Sequence, residues 1–562
     1  MEPPSLSKTR HILTVSVEDY FHAGVFDKSF EERHWSRFQP RLERNIRSTL
    51  ELLSDHGAKA TFFVLGCIAD EQPQLIRWIV EEGHEVASSG YLPSRLDSLS
   101  PKSFEEQLER AKVALESAGA NRIVGFRAPR NWIKPKNFWA LEVLAANGYA
   151  YDSSVNPAVS TFRKSPQEPY THQVLDDGGK PLIWEVPIST VGIGNLRIAI
   201  SGGNYIRQLP HGMLRMATGW WRKHRQDPLV FYFMPWELDT RQPRFTSVSR
   251  LSYLRHYRNL GKTRWVLEHY LDNLKFYGVA DHLGIDHGVA EEVIQSPETA
   301  AARVPAIRSE SPDRIGVSIV IPLYNEEANL QYLRRTLEQL REFLADTYDL
   351  EILLVDDGSR DRTWSESKRL FGQSDCFRLI RHESNRGVAA AIQTGIRSAK
   401  NTIVCSMDCD CSYDPFELKK MIPMVDEADI VTASPYHPGG GTMHVPAWRL
   451  GLSKTLSRLY SLVIGSRLHT FTSCFRVYQK ASIADLEIKN PGFLGVAELL
   501  ILAQFSGARI LEYPTTLESR LLGFSKMKTF RTIRGHLRLL AHLTFQRLFG
   551  SSRRLAPKDQ LL

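Results

Sequence analysis

The sequence predicts an α/β protein built as two domains, and three observations carry that reading. Short apolar runs alternate with helical patterns over most of the 562 residues, the rhythm of strands packed against helices. Several of these runs end in acidic residues, as expected where the carboxyl ends of parallel strands face a ligand. One stretch breaks the rhythm: residues 286–313 are rich in Ala, Glu, Ser and Pro and lack aromatics, as a linker does. The expected organisation is a domain over 1–285, a linker over 286–313 and a second domain over 314–562, each long enough to bury a core.

Charge excludes a uniformly basic nucleic-acid binder. The 71 Lys and Arg against 63 Asp and Glu give a net +8, but ten of the basic residues lie between Ser519 and Lys558, where there is no acid. The rest of the chain holds 61 basic and 63 acidic groups, a net of −2. No aromatic-laced RNA or DNA motif accompanies the basic segment. MEPPSLSKTR is followed directly by a strand pattern rather than an apolar secretory region, and no run of eighteen apolar residues occurs. With six cysteines, too few for a disulfide scaffold, the expectation is a reduced, cytoplasmic protein.

The first strand, HILTVSVEDYF, ends in Glu18 and Asp19. It is followed in order by ATFFVLG, GHEVASSGYLPSRL, VGFRAPRNW, YAYDSSVNP, PLIWEVPIST and FYFMPWELDT. This series resembles the NodB-like polysaccharide deacetylases over about residues 11–283. The resemblance implies a distorted (β/α) barrel, in which one Asp and two His hold a divalent metal, usually zinc, that activates water against an N-acetyl group. Carried over position by position, Asp19 stands at the metal Asp and Glu18 at the catalytic base, while Arg127, Pro129, Asp152 and Trp236 match groove positions. The two His expected in the second motif are Ser89 and Pro93, and the His expected near the end is Met234. Pro has no side-chain donor and Ser is a poor zinc ligand, so zinc binding and deacetylation are expected to be lost. His84 reads as structural. The alternative is a two-activity protein whose hydrolase uses unusual ligands.

The second domain opens with a continuous apolar run, Val317–Pro322, of the kind buried on both faces, leading into LYNEEANL. A second strand ends at Asp356 and Asp357, followed by Gly358 and Ser359, which suit a turn and a helix cap as well as a ligand site. In NRGVAAAIQTG, Asn385 and Gly387 open a small-residue helix. A third strand ends in Asp408, Cys409 and Asp410, and two carboxylates so spaced converge on one hard cation, Mg²⁺ or Mn²⁺, bridging a diphosphate. Cys405, Cys409 and Cys411 match no structural zinc spacing and read as buried thiols.

Together PLYNEE, DDGSRDRT, NRGVAAAIQTG, MDCDCSYDP, TSCFRVY and YPTTLESRLLGFSK resemble, over about residues 316–540, the family 2 glycosyltransferases, and within them the dolichol-phosphate mannosyltransferase-like group. The resemblance implies a GT-A fold and inverting transfer of a sugar from a nucleotide donor, commonly onto polyprenyl phosphate. It places Pro322, Tyr324, Asn325, Glu326, Asp356 and Asp357 on the nucleotide, Asp408 and Asp410 on the metal, and Arg520 and Lys526 on phosphate groups. Glu498 is the best-placed carboxylate for a general base, or else a helix-surface glutamate. Thr470, Cys474 and Ser412 depart from the family pattern, where Asp, Gly and Gln are common, which bears on the acceptor or the sugar. No QxxRW pattern of processive synthases is present, so single transfers are expected.

The late segment TFRTIRGHLRLLAHLTFQRLF sets Ile533, Leu537, Leu540 and Leu548 on one side among Arg534, Arg538 and Arg547. A basic amphipathic helix of this kind lies on an anionic membrane surface or packs its apolar side on the domain. The expected partners are a nucleotide-sugar, a polyprenyl phosphate or cell-surface glycan acceptor, and the inner face of the cell membrane.

Overall fold

The computed structural model describes residues 10–27, 29–129, 133–158, 170–176, 178–193, 196–288, 314–523 and 529–549. Lys526 and nearly all of the expected linker lie outside the described residues. The chain divides into two compact units. The first comprises Met1–Lys28, Pro40–Gln242 and Ser249–Val304; the second comprises Ser29–Gln39, Pro243–Val248 and Pro305–Leu562. Two short stretches from the first half of the sequence therefore belong to the second unit.

The first unit is built on β1 (Arg10–Val17), β2 (Thr61–Val64), β3 (Glu85–Ser88), β4 (Gly125–Phe126), β5 (Tyr151–Asp152), β6 (His172–Leu175), β7 (Pro181–Glu185), a separate hairpin of β8 (Thr190–Ile193) and β9 (Leu196–Ala199), then β10 (Val230–Phe233) and β11 (Lys275–Tyr277). The sheet runs in the order β10-β1-β2-β3-β4-β5-β7-β6, with β11 also on β1. Every pair is parallel except β6 with β7. Among the described residues nothing pairs the edge strands β6 and β10, so the barrel is distorted and unclosed there. Strands such as TFFV and VFYF are buried at every position because helices cover the outer face while the inner face fills the core.

The second unit carries β12 (Ile315–Leu323), β13 (Tyr348–Asp356), β14 (Phe377–Arg381), β15 (Ile403–Ser406), β16 (Ile430–Ser434), β17 (Gly441–Met443), β18 (Arg476–Gln479), β19 (Ile510–Pro514) and β20 (Thr516–Glu518). Its main sheet has the order β14-β13-β12-β15-β18-β16-β19, parallel in the first four strands and antiparallel on either side of β18. This is the open, Rossmann-like GT-A arrangement. The carboxyl ends of β12, β13 and β15 lie side by side, since Leu323 registers with Asp356 and Val320 with Ser406. Helix Val388–Ser398 lies so close to β12 that a Cβ on Gly395 would stand 2.2 Å from Val320 Cγ1, which is why this helix is rich in small residues.

Candidate functional site

Three strand ends deliver the acidic residues of the second unit to one place. After β12 the chain turns at Asn325, held in the left-handed region at φ 53°, which Asn tolerates better than most residues. Its amide donates to Ser359 Oγ at 2.9 Å and its Oδ1 accepts from the Arg360 amide at 2.7 Å, so the turn is tied to the loop after β13. Glu326 follows, with its amide on Thr363 Oγ1 at 2.8 Å. After β15 come Asp408 and the buried Asp410.

Arg520 joins these loops. Its Nε donates to Asp410 Oδ2 at 2.7 Å and its Nη1 to both oxygens of Glu326 at 2.9 and 3.0 Å. Burial alone would favour the neutral guanidine, but Asp410 and Glu326 outweigh it and hold Arg520 charged, with its pKa raised. Burial raises Glu326 despite Arg520, and burial with the adjacent Asp410 charge pushes Asp408 up to about 7. The remaining Asp410 oxygen accepts from the Ser412 amide and hydroxyl at 3.0 and 2.6 Å. Two neighbouring carboxylates, Asp408 half-buried and Asp410 buried, repel each other and offer only oxygen, a donor set that suits a hard divalent cation. Among the described residues no group of three or more His, Cys, Asp or Glu is arranged to hold a metal ion by itself.

Asp357, expected on the nucleotide, and Glu498, the general-base candidate, each hold a loop. Asp357 accepts from the Arg386 and Gly387 amides at 2.8 and 2.7 Å, from Asn385 Nδ2 at 2.9 Å, and lies 2.7 Å from His382 Nδ1. Both oxygens are thus taken up in fixing the NRG loop. Gly387 is required there, since its φ is +104° and a Cβ would stand 2.4 Å from the Pro491 carbonyl oxygen. Glu498 is neither on the surface nor free: it is buried and accepts from the amides of Lys489 and Asn490 at 3.2 and 2.8 Å and from Asn490 Nδ2 at 3.0 Å. Asp356 accepts from the Ser359 amide at 3.2 Å and lies 3.1 Å from Arg381 Nε. Pro322 is internal to β12, and Tyr324 is half-buried just beyond it.

Sequence reasoning missed Glu512 and Arg476. Thr470 stands where relatives often carry Asp, and its amide donates at 2.8 Å to Glu512 on β19, which brings a carboxylate to that loop from another strand. Arg476, fully buried, donates to the carbonyls of Phe471 and Val496 at 2.7 and 2.9 Å and so fixes the TSCFR turn. An Arg two residues after the Thr-Ser-Cys run of an apolar strand was the available signal.

In the first unit, the Asp19 oxygens accept from the amides of Tyr20 at 2.8 Å and Arg41 at 2.6 Å, and burial raises its pKa to about 6. Glu18 beside it is also buried. Arg127 donates to Ser153 O, Ser153 Oγ and Thr14 Oγ1 at 3.0, 2.7 and 2.8 Å, and burial lowers it to about 10. Asp152 and Glu185 are both fully buried, and burial raises the pKa of each. Trp236 stacks on His256 at 4.1 Å. At the positions where the resemblance expects His, the chain carries Ser89, Pro93 and Met234, of which Pro offers no side-chain donor and Ser is a poor zinc ligand, so the residues present do not fit the expected zinc set.

Three family models match the chain: glycosyl transferase family 2 over residues 318–486, polysaccharide deacetylase over 31–151, and a domain of unknown function (DUF3473) over 153–283. The chain is 29% identical over 230 residues to the dolichol-phosphate mannosyltransferase of Pyrococcus furiosus, covering 40% of this chain and 63% of that protein. It is 30% identical over 218 residues to the polyprenol monophosphomannose synthase of Mycolicibacterium smegmatis, covering 37% of this chain and 80% of that protein. It is 28% identical over 241 residues to the dodecaprenyl-phosphate galacturonate synthase of Rhizobium johnstonii, covering 41% and 67%. The chain thus spans slightly less than two thirds of the first of these relatives.

Proposed function

The chain belongs to glycosyl transferase family 2 through its second unit, where it is joined to a polysaccharide deacetylase-like domain, and from that premise we propose that it moves a sugar from a nucleotide-sugar, with inversion, onto a polyprenyl phosphate. The observation that carries this reading is the convergence of Asp408, Asp410, Glu326 and Arg520 at the carboxyl ends of parallel strands. Three relatives, two named for mannose and one for galacturonate, share a polyprenyl or dolichyl phosphate in their names, which supports the lipid phosphate over a glycan hydroxyl.

Asp408 and Asp410 would hold Mg²⁺ or Mn²⁺, which supplies positive charge opposite the departing nucleoside diphosphate. Arg520 would stabilise the same developing charge, a reading supported by its bonds to Asp410 and Glu326, which hold it beside the carboxylate loop. A phosphate acceptor is already an anion and needs no base to remove a proton, so the engagement of Glu498 with its own loop costs the reaction nothing. Tyr324, Asn325 and Asp356 line the strand ends where the nucleotide belongs, with Asp357 fixing the loop beneath.

Helices Ala447–Ile464 and Thr529–Phe549 pack on each other and expose Trp448, Leu452, Leu459, Leu537 and Phe545 beside Arg449, Lys454, Arg534 and Arg538. Apolar and basic residues exposed together suit an anionic membrane surface, where a lipid acceptor resides. Among the described residues no helix is long and apolar enough to cross a membrane. In the first unit the deacetylase frame lacks a zinc donor set, and hydrolysis is lost with it.

The test is a panel of nucleotide-sugars assayed against polyprenyl phosphate with Mg²⁺ or Mn²⁺. One donor is expected to give an alkali-stable, lipid-extractable sugar phosphate; failure of every donor overturns the acceptor assignment.

A further inference from the structure

The second unit contains two stretches, 29–39 and 243–248, that in sequence lie within the deacetylase-like half. Both end up on the loops that carry Asp410 and Arg520. The Asp414 carboxylate, four residues after Asp410, is forked between two arginines: Arg37 Nη2 donates to Oδ1 at 2.9 Å and Arg33 Nη1 to Oδ2 at 3.4 Å. The Arg37 side chain is almost wholly buried and also lies over the Phe416 ring, 5.0 Å from its centroid. Two residues before Arg520, Glu518 takes an ion pair from Arg33, and its Oε2 lies 3.0 Å from His34 Nε2. The other His34 nitrogen is 2.8 Å from the Tyr332 hydroxyl on helix Leu330–Leu344.

The second stretch takes hold on the far side of Arg520. Phe245 bridges to Leu522, the Thr246 amide donates to the Leu521 carbonyl at 3.0 Å, and Thr246 Oγ1 donates to the Gly523 carbonyl at 2.6 Å. The two stretches are joined by an aromatic cluster in which Phe245 lies 4.7 Å from Phe30 and 5.1 Å from Phe38 between ring centroids. The two gripped loops also bond to each other, since the Glu518 amide donates to the Ser412 carbonyl at 2.8 Å.

We propose that residues 29–39 and 243–248 are positioning elements of the sugar-transfer site: Arg33 and Arg37 set the Asp408–Asp414 loop through Asp414, and His34, Phe245 and Thr246 set the backbone on either side of Arg520. This rests on the assignment of Asp410 and Arg520 to transfer made above. The deacetylase-like half of the sequence acts on the transfer reaction through these stretches, which gives it a role that needs no zinc and no hydrolysis. A loop carrying two mutually repelling carboxylates needs such external fixation to present both oxygens to one cation, because a displacement of about 1 Å at a reacting group costs on the order of a hundredfold in rate.

The test uses the full chain and an ion-pair reversal. Arg37→Glu and Asp414→Arg are each expected to weaken Mn²⁺ binding, titrated with Mn²⁺ alone by electron paramagnetic resonance, at least tenfold and to lower kcat for transfer by a similar factor. The double variant is expected to return within threefold of wild type on both. Arg33→Gln, at a partly exposed position, keeps the wild-type melting temperature while lowering kcat more than it changes donor KM. The positioning role is overturned if either single reversal leaves Mn²⁺ affinity and kcat unchanged, or if the double variant is no better than the worse single one. If the reversal pattern appears in Mn²⁺ binding while wild type makes no lipid-linked sugar, the positioning role stands and the proposed acceptor falls.

Discussion

At the residue scale, two acids at the site, Asp357 and Glu498, pin loops by accepting hydrogen bonds from their backbone amides. Asp357 fixes residues 385–387, Gly387 packs against Pro491, and Glu498 fixes residues 489–490, so the three form one continuous support under the strand ends. Glu498→Gln puts an amide NH₂ against backbone N–H donors, and stability is expected to fall by about 1–3 kcal/mol, the cost of buried donors left without acceptors. Transfer by the folded fraction is expected to stay within about threefold of wild type, read from kcat and a denaturant melt together. A general base would instead lose about a hundredfold or more in kcat at unchanged stability. The DDGS and DCD motifs were legible as acids at strand ends because strand pattern and acid position are both local. Which acid meets a ligand and which meets a neighbouring loop was not legible, because the partners of Glu498 and Asp357 depend on how loops eight to thirty residues away come back.

Helix Thr529–Phe549 read from sequence as a basic amphipathic segment with two destinations, and it packs part of its apolar side on the second unit. Leu540 and Leu543 are buried in the second unit's core, while Leu537 and Phe545 stay exposed. His536 on this helix is buried and lies 2.9 Å from the Tyr460 hydroxyl of helix Ala447–Ile464, and burial lowers its pKa to about 4. The folded state therefore refuses a proton that the unfolded chain accepts near pH 6.5, so stability is full above 6.5 and is lost as pH falls toward 4. The loss from this one group approaches about 3 kcal/mol at the acid end. In urea melts of the full chain at pH 7 and pH 4.5, His536→Gln is expected to lose less stability on acidification than wild type; an equal loss in both would contradict this placement. Sequence showed the helix and its charge, but the second helix beside it, Ala447–Ile464, was not recognised as exposing Trp448 and Leu452 because its apolar residues surround it without a clear stripe.

For the whole molecule, the order of strands and motifs was legible along the chain, and the barrel and the GT-A sheet follow it. The assignment of residues 29–39 and 243–248 to the second unit was not, since Arg37 meets Asp414 across 377 residues and no local pattern encodes so distant a pairing. The net +8 gathers in one late segment that begins with Arg520, which pairs inside the site with Asp410 and Glu326, and continues in arginines exposed on the following helix. The proposal for the whole molecule is that one half of the sequence transfers sugar and the other half supports it without hydrolysing acetamides. The most direct measurement is one reaction containing the donor, polyprenyl phosphate, Mn²⁺ and an N-acetylated oligosaccharide, run with the full chain and with Asp410→Ala, and assayed for lipid-linked sugar and released acetate. The account predicts lipid-linked sugar from wild type alone, reduced at least a thousandfold in Asp410→Ala, and acetate from neither; wild-type transfer by Asp410→Ala, or stoichiometric acetate from either chain, would contradict it.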